Sequence, residues 1–354
     1  MKKKILISTG GSGGHVIPAT ILYDHLIKDT DVIVSTDKRG NVFLNNNIYK
    51  TEIIDTPKLN NILFFLFNFL IVLFLVFKSL FLLRKEKVDR LISTGGYMSL
   101  PLILASKILK LKIYLLEPNL VLGRANKFFL GSCDKIFCYS NKIKNFPDKF
   151  KNKAVIINPL VRKKFYQNDL VSNSKDISQI LIIGGSQGAS IFDNNLNNSI
   201  ANICKKFPLK IAHQTNRKNI LNLKDFYSKN NIENEIFDFD ENFVKIMKQS
   251  DLCITRAGAS TLAELSVLNI PFIAVPLPSS KDNHQLENAN FYRNFDCCWI
   301  IDQEFFEDKI EDILKDILED KTNYLKKKDN LKKLNYQNSW INVNQKILSV
   351  LNEN

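Results

Sequence analysis

The sequence contains no CxxC pair, no HExxH, no zinc-ligand spacing and no Walker A lysine in 354 residues. Those gaps exclude a zinc ribbon, a zinc protease and a P-loop phosphohydrolase as the organising chemistry. The six cysteines, Cys133, Cys138, Cys204, Cys253, Cys297 and Cys298, are scattered. The one vicinal pair suits neither a disulfide nor a metal, so reduced structural thiols in a cytosolic setting are expected. Acidic residues are short as well: 36 Asp and Glu face 49 Lys and Arg, a formal charge of +13. Such a surplus favours polyanionic partners. The basic residues are not interleaved with aromatics as in a nucleic-acid platform, so nucleic acid is not an expected partner. The basic start, Met1 to Lys4, leads into an apolar run too short for a secretory leader before Gly10 intervenes; no secretion is expected.

What is present is globular. Hydrophobic residues make up 45% and charged residues 24%, and the length suits two domains. Short apolar runs end in small-residue loops and alternate with helical spacing. Residues 4–9, 31–36, 88–94, 113–116, 136–139 and 155–157 read as strands in the first half. Residues 179–183, 252–255 and 271–275 do so in the second. Pro18 is expected near a helix start, with Ala19 to Ile27 continuing the helix. The alternation predicts an α/β chain of two tandem Rossmann-like domains with an interdomain cleft. The expected boundaries are 1–160 and 161–336, with a final helix within 337–354 returning to the first domain.

From Ile62 to Leu83 the chain is almost wholly apolar, interrupted only by Asn68, Lys78 and Ser79. Its length meets the criterion for a bilayer span. It lies inside an α/β domain, however, and Arg84, Lys85, Lys87, Lys107, Lys110 and Lys112 follow it closely. A helix lying on an anionic membrane surface is therefore expected, rather than one crossing it.

Three constellations carry chemistry. Gly10-Gly11-Ser12-Gly13-Gly14-His15 sits between a strand and a helix, where backbone N–H groups and the helix dipole favour an anion. His15, at the loop's end, is a candidate base near neutral pH. Gly184-Gly185-Ser186-Gln187-Gly188-Ala189 is a second such loop. Arg256 to Leu265 (RAGASTLAEL) joins a strand to a helix through small residues. Ser260 or Thr261 can cap that helix, and Glu264 can accept from both hydroxyls of a ribose. Gln285 and Asn288 carry amides suited to sugar hydroxyls. Asp238-Phe239-Asp240 reads as a solvated loop; two glycine loops able to neutralise a diphosphate require no metal, and no cofactor is expected.

These segments, taken in order, resemble the MurG family of UDP-N-acetylglucosamine transferases. The matching stretches are GGSGGHVIP from Gly10, GGYMSLP from Gly95, EPNLVLGRAN from Glu117, GGSQGA from Gly184, RAGASTLAE from Arg256 and HQLENA from His284. The resemblance implies a GT-B fold and inverting transfer of GlcNAc from UDP-GlcNAc to the C4 hydroxyl of the muramyl sugar of lipid I. The partners implied are those two substrates and the cytoplasmic face of the inner membrane. His15 and Glu117 are implied as candidate bases. Ser12, Gly13, Gly14 and Asn119 fall on the acceptor side. Ser186, Val244, Ala259, Ser260, Thr261, Leu262, Ala263, Glu264 and Gln285 fall on the donor side, Val244 meeting uracil through its backbone. Two positions differ from the family's usual pattern. Leu116-Glu117-Pro118-Asn119 stands where His-Glu-Gln-Asn is usual, and Arg162, a candidate diphosphate contact, comes one residue late. A glycolipid synthase of the same fold, with diacylglycerol as acceptor, is the alternative.

Overall fold

A strand whose residues are apolar on both faces needs cover on both sides, and helical crossovers between parallel strands supply it. The computed structural model shows that arrangement twice. It describes residues 3–57, 65–167, 175–185, 190–238 and 243–353. Two compact units result, one of Met1–Leu160 with Trp340–Asn354, the other Val161–Ser339.

In the first unit the strands are β1 (Lys4–Ser8), β2 (Asp31–Thr36), β3 (Thr51–Ile53), β4 (Arg90–Ser93), β5 (Lys112–Glu117), β6 (Lys135–Cys138) and β7 (Ala154–Ile156). The crossover helices are α1 (Gly13–Leu26), α2 (Lys38–Asn41), α3 (Phe65–Lys85), α4 (Leu100–Ile108) and α5 (Arg124–Phe129). The sheet runs β3-β2-β1-β4-β5-β6-β7, with Ile5 paired to Val32 on one side and Arg90 on the other, both parallel. Within β1, Ile5 and Ile7 join the core under α1, while Leu6 joins the core under α3 and α4. That alternation explains the continuous apolar run. The strand order reverses between β1 and β4, so their following loops open side by side at the switch point.

The second unit repeats the plan. Its elements are β8 (Gln179–Ile183), α6 (Ser190–Asn195), α7 (Asn197–Lys206), β9 (Lys210–Gln214), α8 (Ile220–Lys229), β10 (Glu233–Phe237) and α9 (Phe243–Lys248). Then come β11 (Leu252–Thr255), α10 (Ala259–Val267), β12 (Phe272–Ala274), α11 (His284–Asn294), β13 (Cys298–Ile300), α12 (Phe306–Glu319) and α13 (Lys321–Leu334). The sheet order is β10-β9-β8-β11-β12-β13. Ile180 and Ile182 face one core, Leu181 and Ile183 the other.

One detail differs from the sequence reading. Helix α1 begins at Gly13, within the glycine loop, and Pro18 lies inside it. Proline there deprives the Gly14 carbonyl of its usual partner; Gly14 is exposed, so solvent can satisfy it. The consequence is that Gly13, Gly14 and His15 form the helix's first turn. Helix α3 is long and apolar enough to cross a membrane by length and composition, and a third of its apolar window (33%) is buried in the protein. Val72, Leu75, Val76, Leu82 and Leu83 enter the core. Opposite them Phe67, Leu70, Phe74, Phe77 and Phe81 are exposed, at 63%, 56%, 69%, 69% and 70%. Their three- and four-residue spacing makes one stripe along the helix. Ile62 to Phe64 lie outside the described residues.

The last helix, α14 (Trp340–Asn352), packs Val343, Ile347, Val350 and Leu351 into the core shared with α1. His25 of α1 stacks on Trp340, ring centroids 3.6 Å apart, and neither ring nitrogen has a hydrogen-bond partner. Burial lowers its pKa to about 4. The unfolded chain therefore binds a proton that the native state refuses between about pH 6.5 and pH 4, so His25 costs stability as pH falls through that window. The loss should approach about 3 kcal/mol near pH 4. Urea unfolding at pH 7 and pH 4.5 should show a smaller loss in His25→Leu than in the parent; equal losses would place the acid sensitivity elsewhere.

Candidate active site

At the carboxyl edge of the first sheet, the loop after β1 and the loop after β4 are locked together by side chains. The His15 Nδ1 lies 2.9 Å from the Thr94 carbonyl. A carbonyl only accepts, so Nδ1 carries the proton and the neutral ring leaves the lone pair on Nε2. Gly95, at φ +96°, allows this approach: a Cβ there would stand 3.3 Å from the imidazole Cε1 and 3.6 Å from the Asn126 amide nitrogen. The Gly10–His15 motif, the Gly95–Pro101 motif and the Glu117–Asn126 segment thus converge on Gly95, a residue without a side chain. The His15 N–H is bonded to the Ser12 carbonyl, at 3.0 Å. Ser12 caps the helix with its backbone geometry alone, leaving the Gly13 and Gly14 N–H groups open at a positive helix end.

The buried Glu117 is an acceptor for four hydrogen bonds. Asn119 donates from its backbone N–H and its amide, each at 3.1 Å. Gly123 N–H donates at 2.7 Å and the Asn126 amide at 2.9 Å. That is a carboxylate organising a loop, with both oxygens engaged. Asp37, at the end of β2, does the same for the first glycine loop. Its Oδ1 accepts from the N–H groups of Gly11 and Gly40, each at 2.8 Å, and its Oδ2 from Arg39. Burial would raise the Asp37 carboxyl, but the two backbone donors and Arg39 outweigh it and hold the group below the usual range. Locally Asp37 is only the N-cap of α2, through Gly40; its bond to Gly11 has no local mark, because Gly11 lies on another loop.

In the second unit the site forms at the start of α10. Gly258 is the N-cap, and the first helical bond runs from Leu262 N–H to the Gly258 carbonyl at 3.0 Å. The N–H groups of Ala259, Ser260 and Thr261 precede it and have no helical partner. Leu262 and Ala263 are buried in the core, so they hold the helix down and present no side chain outward. Glu264, one turn on, is buried and accepts from Arg162 Nε at 2.8 Å. Burial pushes its carboxyl up, opposed by the Arg162 guanidinium. Arg162 also lies over Phe165 and Phe243, 4.9 and 5.6 Å from their ring centroids. The late arginine of the sequence therefore reaches the carboxylate of the donor motif.

Helix α11 ties this loop from below. The Gln285 amide oxygen accepts from the N–H groups of Ala257 and Leu277, at 3.2 and 3.0 Å. Buried Asn288 donates to the Ala257 carbonyl at 3.2 Å. Gln285 retains its NH2 as a donor, whereas Asn288 is a brace rather than a ligand group. Arg256 is likewise structural, donating to the Val275 carbonyl at 3.1 Å and to the Gln303 amide oxygen at 2.7 Å. Val244 sits in the first turn of α9, half-buried against the core. Ser186 lies outside the described residues, as does most of the GGSQGA loop. So do Phe239 and Asp240 of the acidic triplet. Among the described residues no three metal-ligating side chains cluster.

The model of the glycosyltransferase family 28 N-terminal domain matches residues 5–138, and that of the C-terminal domain matches 179–339. Curated UDP-N-acetylglucosamine--N-acetylmuramyl-(pentapeptide) pyrophosphoryl-undecaprenol N-acetylglucosamine transferases resemble it along most of its length. The enzyme of Pelagibacter ubique is 52% identical, with 100% of both chains covered. That of Rickettsia felis is 35% identical over 92% of this chain and 95% of its own. Acinetobacter baumannii MurG has the same fold, with a TM-score of 0.76 at 22% identity over 99% of this chain and 100% of that one. Neisseria meningitidis UDP-GlcNAc 2-epimerase bound to UDP-GlcNAc shares it too, with a TM-score of 0.66 at 15% identity and 99% and 100% coverage. The chain belongs to the MurG family of glycosyltransferase family 28.

Proposed function

We propose that this chain transfers GlcNAc from UDP-GlcNAc to the muramyl sugar of lipid I, giving lipid II for peptidoglycan. The observation that carries the reading is the pairing of the full-length likeness to the Pelagibacter ubique transferase with a tautomer-fixed histidine beside a glycine loop. His15 Nε2 takes the proton from the acceptor C4 hydroxyl as its oxygen attacks C1 of GlcNAc. The C1–O bond to UDP breaks, and the configuration at C1 inverts. The open N–H groups of α10 stabilise the negative charge appearing on the departing diphosphate. Glu264 accepts from the ribose hydroxyls, the Gln285 NH2 donates to the sugar, and the Val244 backbone meets uracil. Ser186 and Arg162 complete the donor side; Ser12, Gly13, Gly14 and Asn119 line the acceptor side.

Glu117 serves as a positioning residue, since both its oxygens already accept backbone and amide donors. Glu117→Gln would turn an NH2 toward two of those donors, costing about 2–3 kcal/mol of stability. Chemical unfolding should show that loss; a stable variant with no turnover would make Glu117 the base instead.

The Phe67–Phe81 stripe of α3, with Arg84 and Lys85 at its end, fits a helix lying on the cytoplasmic leaflet of the inner membrane. Offering the purified chain lipid I and diacylglycerol in parallel, with labelled UDP-GlcNAc, tests the acceptor. Label on lipid I alone is expected; label on diacylglycerol alone would replace this reading with the glycolipid synthase.

A further inference from the structure

Arg39 has no part in the reading so far. Its guanidinium lies beside the first glycine loop: a Cβ on Gly11 would be 3.8 Å from its Nη2. Nε and Nη2 donate to Asp37 Oδ2 at 3.1 and 2.8 Å, and Nη2 donates to the Tyr97 hydroxyl at 2.6 Å. The guanidinium also lies over the Tyr97 ring, 5.7 Å from its centroid. The fork is thus fixed on one edge only. Nη1, with two N–H groups, has no hydrogen-bond partner among the described residues, and the Tyr97 hydroxyl, having accepted, still has its own proton to donate.

A surface ion pair would be the simple explanation, but the burial is lopsided. The Asp37 side chain is 2% exposed and that of Arg39 is 49%. Asp37 satisfies its Oδ1 with two backbone N–H groups and its Oδ2 with Arg39, which accounts for the inner edge of the guanidinium but not for the outer one. What Asp37 does is hold a rigid planar donor with its outer edge in solvent. Tyr97 follows Gly96, whose own Cβ would come within 3.9 Å of the His15 ring. Tyr97 therefore belongs to a loop that positions the base, and Arg39, on α2, lies beside the other.

We infer that the Arg39–Tyr97 pair recognises an oxyanion of the acceptor, bound by Arg39 Nη1 and the Tyr97 hydroxyl, and so sets acceptor orientation at His15. The inference rests on the proposed transfer to lipid I. The relatives' acceptor carries two such groups, a pyrophosphate and the carboxylates of its peptide. Removing a bidentate, charge-assisted hydrogen-bond pair from an exposed edge should raise the acceptor KM about tenfold.

The test is steady-state transfer by the full chain with Arg39→Gln and Tyr97→Phe. Three acceptors are needed: a lipid I analogue with both anions, one with amidated peptide carboxylates, and one with a neutral linker replacing the pyrophosphate. Arg39→Gln should raise the KM of the first about tenfold and Tyr97→Phe less, with the KM for UDP-GlcNAc unchanged as the sign of an intact fold. The penalty should vanish on whichever analogue lacks the recognised anion, identifying phosphate or carboxylate. An equal penalty on all three acceptors, or none, overturns the inference and leaves Arg39 as a brace for Asp37. Failure of the parent chain to use lipid I at all would instead remove the acceptor reading beneath it.

Discussion

His15→Ala should bind UDP-GlcNAc as the parent does and turn it over about 10²–10⁴-fold more slowly, the usual contribution of a positioned general base. The expectation follows from the site's division of labour. The Thr94 carbonyl fixes the imidazole tautomer, so Nε2 is the atom that can take a proton. None of the hydrogen bonds that hold the Gly258–Thr261 turn of α10 involves that ring. The variant leaves the buried Thr94 carbonyl without that donor, at a cost of about 1–3 kcal/mol, and retained donor binding is the sign that the fold survives it. Calorimetric titration with UDP-GlcNAc, paired with transfer rates at saturating donor, separates the two effects. Unchanged turnover would remove His15 from the chemistry.

The converse result is expected for Glu264→Ala: weak donor binding, with His15 untouched. A buried carboxylate accepting ribose hydroxyls makes charge-assisted hydrogen bonds of about 1.5–3 kcal/mol each. Losing one or two should lower UDP affinity about 10–100-fold or more. Arg162 donates to Oε1 at 2.8 Å, so a ribose hydroxyl binds at Oε2 or competes with the arginine. Removing Glu264 strands Arg162, but that side chain is 32% exposed and stacks on Phe165 and Phe243, so water and the rings can take it up. UDP titration of Glu264→Ala and Glu264→Gln should show a large and a smaller loss respectively. Parent-like affinity in both would assign the ribose to other residues.

The strands easiest to read in the sequence were those buried on both faces. β1, β4, β8 and β11 are apolar runs that end in small-residue loops, and the loops are where the donor and acceptor motifs sit. Edge strands such as β3 (Thr51–Ile53) and β10 (Glu233–Phe237) escaped the reading because their exposed side carries polar residues and leaves no alternation to detect. The start of α1 was displaced by Pro18, since proline is expected at a first turn and here lies beyond one. The braces escaped for a different reason. Asp37 meets Gly11 across 26 positions, and Arg162 meets Glu264 across 102. No local pattern encodes such pairs; only the sheet order brings them together. Glu117 shows the limit from the other side. Its place at the end of β5 was legible, but a carboxylate at a strand end reads equally as base or brace until its four donors are seen.

The most direct test of the reaction is to follow purified chain, lipid I and UDP-GlcNAc carrying a carbon label at C1 by mass spectrometry and NMR. Labelled lipid II is expected, its GlcNAc linked with inverted configuration at C1, formed by the parent and about 10²–10⁴-fold more slowly by His15→Ala. Retained configuration would contradict a single displacement assisted by one base, and label absent from lipid I would contradict the function itself.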